Sequence, residues 1–454
     1  MSGGLISKYL TFLGIGLVTV TVLRRVPQIA GDTVAMSQSA ELLVSCLRNH
    51  QFHGCPGTNQ YGLLQNIPLM ALIWKGISTP DAVRLLGFIN VVAFLAFLVF
   101  IWKSFSGRVR QLGVLVLLLG PVLPYISSTL GEMTQLVVFS LFGIAVVRNR
   151  KVLGILAGFF AATSRETAFL PLIFLAVGLS VLEFRSIKLG IKKSIPYVFA
   201  TLIGLGALLE FNAMKFGTWR NLSNLHAEYV TPGILLKAKM FVAIWVAPGG
   251  GVMVFWVLGG LITLSFLVYP IIRRENWTVV GSLLVIGCVA GSTASLSMWF
   301  APFGWVAWGP RLMIPTIAMI TFGAFSLRTS DGFQFGKLEK VFGNLVFQLG
   351  VTAIVGLSAL PSFGVLNIPT SINRFFSTDK VCPRPAIIQE DRNYYFHCLQ
   401  HGSWKLDPSL WRVGLDGMSP FMWLTFSAVL IAFFMTLRTL GGVPRTCVED
   451  SNVV

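Results

Sequence analysis

The chain is 454 residues long, with 54% hydrophobic and 12% charged residues and a mean hydropathy of +0.75. Soluble domains carry about 25% charged residues, so this composition excludes an ordinary water-soluble enzyme and predicts a multi-span membrane protein. The formal net charge of +17 does not indicate nucleic-acid binding, because most of the cations lie in short segments between apolar runs.

Apolar windows close to the ~20 residues that cross a bilayer recur along the chain. They predict an all-α, polytopic transmembrane bundle of about twelve spans, formed by residues 1–454 as a single integral membrane domain, with short helices in the outer loops. The predicted spans are Leu5–Val22, Leu85–Trp102, Leu112–Ile126, Met133–Val147, Val152–Ala162, Thr167–Leu182, Ile195–Asn212, Val252–Ile271, Val279–Met298, Leu312–Leu327, Val341–Leu360 and Pro420–Leu437.

The unbroken stretch Val152–Leu182 admits one long helix or two short ones. We predict two, folded back at Ser164-Arg165-Glu166, because a charged pair at the middle of the membrane is costly without partners. A single span would also move the basic loop 185–193 to the outer face.

Lysine and arginine collect in alternate loops, and short basic loops stay in the cytoplasm. This predicts cytoplasmic termini in a multi-pass protein of a bacterial inner membrane, with an uncleaved first span. The basic set comprises Lys103, Arg108 and Arg110; Arg148, Arg150 and Lys151; Arg185, Lys188, Lys192 and Lys193; Arg273 and Arg274; Arg328, Lys337 and Lys340; and Arg438 and Arg445.

The predicted outer face holds three substantial segments, 23–84, 214–251 and 361–418. None is expected to form an independent enzyme domain, so a functional site would lie where these loops meet the helix ends. Cys46 and Cys55 share the first loop and Cys382 and Cys398 share the last, which predicts two disulfides in an oxidising compartment.

His50 and His53 lie between the first two cysteines, in a C-x3-H-x2-H-x-C string. This string is a zinc candidate if both thiols stay reduced. The spacing matches no common zinc site, so we predict no metal there.

Few acidic residues lie on the predicted outer face. Asp32 directly follows the first span, where desolvation could raise the pKa of a carboxylate toward that of a general base, or where it could cap the next helix. Glu132 occupies the short second outer loop, either as a site residue or as a first-turn acid favoured by the helix dipole. Glu166 either pairs with Arg165 or contacts substrate. Glu210 lies inside a span and is either a buried hydrogen-bonding partner or a site residue.

Cations on the outer face are unexpected and therefore informative. Arg24 follows the first span, Lys215 lies near Phe216-Gly217, and Arg311 ends an aromatic segment rich in Gly and Pro. Guanidinium groups bind phosphate through paired hydrogen bonds, and tryptophan suits the membrane interface. The aromatic segment contributes Trp299, Trp305 and Trp308 as candidate sugar or lipid contacts.

Several of these strings, in this order, resemble the GT-C superfamily of membrane glycosyltransferases, which use polyprenyl-phosphate sugars as donors. The strings are Asp32 after the first span, Glu132 in the second outer loop, the turn Thr163-Ser164-Arg165-Glu166-Thr167, the segment Asn212-Ala213-Met214-Lys215-Phe216-Gly217-Thr218, and Trp308-Gly309-Pro310-Arg311.

The resemblance implies an inverting transferase in which Asp32 removes the acceptor hydroxyl proton and Arg311 holds the donor phosphate. Lys215, Arg165 and Arg24 would be further phosphate contacts, and Glu132 would orient the acceptor or the base.

The first loop lacks the adjacent acidic pair of many members, since Gly31 and Thr33 flank Asp32. No cofactor is therefore predicted, although a divalent metal is left open. The chain also lacks the large outer domain of the oligosaccharyltransferases after its last span. The expected acceptor is a lipid-linked or cell-envelope glycan.

Three alternatives remain open. An envelope polysaccharide ligase or polymerase would act through the last outer loop. A twelve-span secondary transporter would need related halves, which the sequence does not display. A receptor or scaffold would lack catalysis. The ligase candidates are Arg374, Arg384, Arg392 and His397.

Overall fold

The computed structural model describes residues 3–25, 31–52, 54–55, 61–126, 128–129, 131–221, 233–247, 250–298, 310–327, 344–367 and 415–440. In these ranges the regular structure is helical, as predicted. The helices are α1 (Gly3–Leu23), α2 (Gly31–Arg48), α3 (Leu63–Trp74), α4 (Thr79–Ser104), α5 (Gly107–Leu118), α6 (Glu132–Val147), α7 (Lys151–Ala162), α8 (Phe169–Phe184), α9 (Ile187–Phe216), α10 (Ile234–Val246), α11 (Val252–Phe255), α12 (Val257–Arg273), α13 (Asn276–Ser297), α14 (Ile314–Ser326), α15 (Leu345–Asn367) and α16 (Pro420–Leu440).

The protein is a multi-pass membrane protein. Six helices in the described ranges, α1, α4, α9, α13, α15 and α16, are long and apolar enough to cross a bilayer. Shorter apolar helices include α6, α7, α8 and α12. Every predicted span overlaps one or more of the helices α1 to α16. The number of membrane crossings stays a prediction.

The two-helix prediction for Val152–Leu182 is confirmed. Helix α7 ends at Ala162 and α8 begins at Phe169. Thr163 and Ser164 are fully buried in the turn, where each hydroxyl donates to a carbonyl of the last turn of α7. The turn therefore satisfies its own polar groups, so the chain can reverse at this depth.

Two predicted spans are interrupted. Helix α5 ends at Leu118, and Gly120-Pro121 precedes a short 3₁₀ turn, Leu123–Tyr125. Proline has no amide hydrogen to continue the ladder. The span predicted at Val252–Ile271 breaks at Trp256, which is fully buried and donates its indole N–H to the Val116 carbonyl at 3.0 Å.

Two predicted outer loops contain helical residues, and their placement on the outer face stays a prediction. Segment 23–84 contains α2 and α3 and already includes the start of α4, where Ser78 accepts a hydrogen bond from the Asp81 amide. Helix α15 continues through Pro361 to Asn367, because Phe363 and Leu366 are fully buried against the bundle. The short loop helices were predicted correctly.

Short basic turns join α4 to α5, α6 to α7, α8 to α9, and α12 to α13, and the two helices of each pair pack against one another, so the chain reverses direction at each of these turns. The starts of α6, α8 and α14 and the ends of α7 and α9 consequently lie at the opposite end of the bundle from these turns. This opposite end carries most of the candidate site residues.

Helices α6 and α14 pack closely because Gly143 has no side chain. A Cβ at Gly143 would overlap the carbonyl oxygen of Met319 on α14, whereas a Cβ at Gly206 on α9 would meet nothing within 4 Å. We expect Gly143→Ala to lower the free energy of unfolding by about 1–3 kcal/mol, and the control Gly206→Ala to leave it unchanged or higher. Thermal unfolding in detergent micelles measures both, and equal melting temperatures would contradict the close packing.

Candidate functional site

A buried ion pair joins the first residue of α6 to the segment that leads into α14. Arg311 Nε lies 2.5 Å from Glu132 Oε1, and each residue is only 3% exposed. Helices α6 and α14 pack side by side, so the start of α6 lies beside the turn that leads into α14. Glu132 and Arg311 are therefore neighbours although 179 positions separate them. The second oxygen of Glu132 is buried and has no hydrogen-bond partner among the described residues.

Tyr61 connects this ion pair to a lysine from another helix. The Tyr61 hydroxyl lies 3.4 Å from Arg311 Nη2, and its backbone carbonyl accepts a hydrogen bond of 2.8 Å from Lys215 Nζ. Lys215 is 2% exposed, with its ammonium 4.9 Å and 4.8 Å from the ring centroids of Phe211 and Phe216. The aromatic faces stabilise an ammonium held out of water.

Arg165 lies in the turn between α7 and α8 and belongs to the same cluster. Burial lowers the pKa of Arg165, the Glu132 carboxylate raises it, and the Arg311 guanidinium lowers it. The three groups are therefore close enough to interact electrostatically.

Glu166 is bound to another helix. Its Oε1 accepts a hydrogen bond of 2.7 Å from the fully buried Asn212 of α9. The Glu166 carboxylate also raises the pKa of Arg165, so its hydrogen bond to α9 does not replace an interaction with Arg165, and a contact with substrate stays a prediction. The Glu166 charge also interacts with that of Lys215.

The predicted disulfide between Cys46 and Cys55 is present. The Cys55 amide donates to the Met214 carbonyl at 2.8 Å, so the disulfide-closed loop is attached to α9 next to Lys215. Both thiols are consumed, which overturns the zinc reading of the C-x3-H-x2-H-x-C string. In the ranges the structure covers, no three His, Cys, Asp or Glu residues are grouped to hold a metal ion.

Other predicted site residues are placed less centrally. The backbone of Asp32 lies in the first turn of α2, and its side chain is outside the described residues. Arg24 stacks on the Phe421 ring of α16, 5.9 Å from the centroid, rather than on the Glu132 cluster. Glu210 is exposed on α9, so the reading as a buried hydrogen-bonding partner was wrong, whereas a role in a site stays a prediction. Trp299, Trp305, Trp308, Cys382, Cys398 and the ligase candidates Arg374, Arg384, Arg392 and His397 lie outside the described residues.

Sequence reasoning missed Tyr61, Gln65 and Asn66. Asn66 is fully buried and donates to the Tyr61 and Gly62 carbonyls at 3.1 Å and 2.8 Å. A signal was present in the sequence, since a Gln-Asn pair at the start of an otherwise apolar helix is expensive to bury without a role. Gln65 and Asn66 carry no charge and therefore do not stand out in the sequence as the charged candidates do.

Three cations and two carboxylates thus lie near one another at one end of a membrane helix bundle. Arg311, Arg165 and Lys215 come from three different parts of the chain. Clustered cations out of water attract anions strongly, and guanidinium groups suit phosphate. The arrangement is that of a membrane helix bundle with a cluster of charged residues at one end.

No protein-family profile matches the chain, and no curated protein matches it. The chain is similar to the crystal structure of ArnT from Cupriavidus metallidurans bound to undecaprenyl phosphate, with 15% sequence identity over 95% of this chain and 77% of that chain and a TM-score of 0.38. A likeness at this identity and TM-score supports no inference about the function of this chain.

Proposed function

We propose that the protein is a GT-C-type glycosyltransferase. It transfers a sugar from a polyprenyl-phosphate donor to a lipid-linked or cell-envelope glycan acceptor, on the outer face of a bacterial inner membrane and with inversion. The observation that carries the proposal is that Arg311 and Arg165 lie around Glu132 at one end of the bundle, with Lys215 joined to Arg311 through Tyr61.

A phosphate that leaves a sugar gains negative charge in the transition state. Preorganised cations in a dry site stabilise such charge far more than cations in water do. Arg311 is oriented by Glu132, and Lys215 by the Tyr61 carbonyl. Neither side chain needs to reorganise in order to present a positive charge, which suits a leaving phosphate on a lipid at the bilayer rim.

Glu132 has the features of an orienting acid. One of its oxygens binds Arg311, while the other is buried without a partner in the part of the chain that the structure describes. A donor on a bound molecule would satisfy such a buried acceptor. An acceptor hydroxyl is such a donor, so Glu132 orients the acceptor.

Asp32 remains the proposed general base. Its backbone lies one helical turn before Met36, and Met36 packs in the same apolar cluster as Tyr61, the residue that contacts Arg311. This shared cluster supports a position of the first turn of α2 on the same side of the bundle as the cations. A carboxylate at this rim could remove the proton from the attacking hydroxyl.

The orientation follows from the charges at the other end of the bundle. Basic turns that include Lys103, Arg110, Arg150 and Arg274 lie opposite the site. Short basic loops are retained in the cytoplasm. The site and the disulfide would then face the oxidising side, and both termini would be cytoplasmic.

Lys215 provides the test of donor binding. We expect Lys215→Met to weaken binding of undecaprenyl phosphate about tenfold, because one charge-assisted contact is lost. Transfer from labelled undecaprenyl-phosphate sugars should fall in parallel. Both are measured in proteoliposomes, and the matched control is Lys239→Met, an exposed lysine of α10.

Two results would contradict the proposal. Equal lipid-phosphate affinity in Lys215→Met and Lys239→Met would remove the phosphate site. Wild-type protein that transfers no sugar from any polyprenyl-phosphate donor, but moves solutes across the same vesicles, would favour the transporter class.

A further inference from the structure

The start of α3 lies between the elements that carry the charged residues. This entry segment, Tyr61–Asn66, contacts the α7–α8 turn, the start of α6 and the end of α9. Tyr61 supplies the contacts to Arg311 and Lys215 already described. Gln65 supplies a separate set of contacts.

Gln65 is 2% exposed and touches the residues that precede two members of the cluster. Its Nε2 donates to the carbonyl of Ser164, directly before Arg165, at 3.3 Å. Its side chain also packs on Gly131, directly before Glu132, where an added Cβ would overlap Gln65 Cγ. One uncharged side chain therefore spans the backbones that present Arg165 and Glu132.

The fit around Gln65 is tight on both sides. Gly62 lies so close to the turn that a Cβ there would overlap the carbonyl oxygens of Thr163 and Ser164. The backbone amide of Leu64 is also directed at the Thr163 carbonyl, at 3.4 Å. Since the backbones meet directly, a change in the length or polarity of Gln65 must move the turn or α6.

We propose that Gln65 is a positioning residue that fixes the Arg165 turn relative to Glu132. This inference rests on the proposed function only for its catalytic consequence. Among the described residues, Gln65 donates to the Ser164 carbonyl and packs on the Gly131 backbone, so it acts through these two positions. Its loss would let Arg165 sample positions away from the phosphate.

The first test measures the turn itself. We compare Gln65→Met, which keeps the side-chain length but loses the donor, with Gln111→Met, a matched change at a buried glutamine of α5 near Ser7 and Thr436 at the other end of the bundle. Amide hydrogen exchange of residues 163–168 should be at least about threefold faster in Gln65→Met and unchanged in Gln111→Met. Equal exchange in both variants would overturn the inference.

The second test asks whether Gln65 acts through Arg165. We expect Gln65→Met to lower kcat/KM several-fold in the wild type and to have little further effect in Arg165→Ala, because residues that act through one another are not additive. Gln65→Met effects of the same size in both backgrounds would assign Gln65 a merely structural role.

The two proposals fail in different ways. If the wild type transfers no sugar, the proposed function fails, and the exchange comparison still decides whether Gln65 fixes the turn. If Gln65→Met does not yield folded protein, Gln65→Glu, which keeps the length and loses the donor when ionised, is subject to the same expectations.

Discussion

Replacing Arg311 by alanine is expected to lower the free energy of unfolding by about 3–5 kcal/mol and to reduce sugar transfer by about 10²–10³-fold. Arg311 and Glu132 are both almost fully buried, and their side chains are paired at 2.5 Å. Removing the guanidinium leaves the Glu132 carboxylate buried without its partner, which is the larger part of the expected loss in stability.

A paired substitution separates stability from chemistry. In Glu132→Gln combined with Arg311→Met, no buried charge is left at these two positions. We expect most of the lost stability to return, since neutral replacements of buried ion pairs are often tolerated. Transfer should stay low, because the proposed phosphate contact is still missing.

Thermal unfolding in detergent micelles and transfer in proteoliposomes measure the two effects on the same preparations. A double variant that is as unstable as Arg311→Ala would show that the pair contributes packing rather than charge compensation. Wild-type transfer by the double variant would remove Arg311 from the proposed mechanism.

Asp32→Asn is expected to lower kcat for sugar transfer by about 10²–10⁴-fold, because an amide cannot accept the hydroxyl proton. Undecaprenyl phosphate affinity should change little, since the cations assigned to the phosphate are Arg311, Lys215 and Arg165. A loss in kcat with preserved lipid affinity distinguishes a base from a binding residue.

The matched control is Asp81→Asn in the first turn of α4. Asp81 is exposed, bonded to Ser78 and paired with Arg84 at 3.6 Å on the surface. Exposed pairs of this kind contribute little to stability. Full transfer by Asp32→Asn, or an equal loss in Asp81→Asn, would exclude Asp32 as the base.

The helices were largely predictable, because the membrane imposes the constraint locally. Each predicted span overlaps a helix in the part of the chain that the structure describes, since a backbone in hydrocarbon must satisfy its hydrogen bonds within its own segment. The errors arose where side-chain packing overrode hydropathy. Trp256 breaks a predicted span because its indole binds Val116, and α15 passes Pro361 because Phe363 is buried.

The site was predictable only in part. Glu132, Arg165, Lys215 and Arg311 were selected from the sequence because charge is rare in such a chain. Their partners were not: Arg24 was selected beside Arg311 and Lys215 as a phosphate contact and yet stacks on Phe421. A contact between positions 132 and 311 has no local signature.

The sequence by itself determined that this protein is a membrane helix bundle, which segments are helical and which few charges are exceptional, because the transfer of each segment into lipid depends on its own residues. Only the tertiary structure decided that Arg311 binds Glu132, that Tyr61 lies between Arg311 and Lys215, and that Gln65 spans Gly131 and Ser164. These contacts depend on how close α6, α14, α9 and the start of α3 can approach, and that distance is set by glycines and packed side chains from separate helices rather than by any one segment.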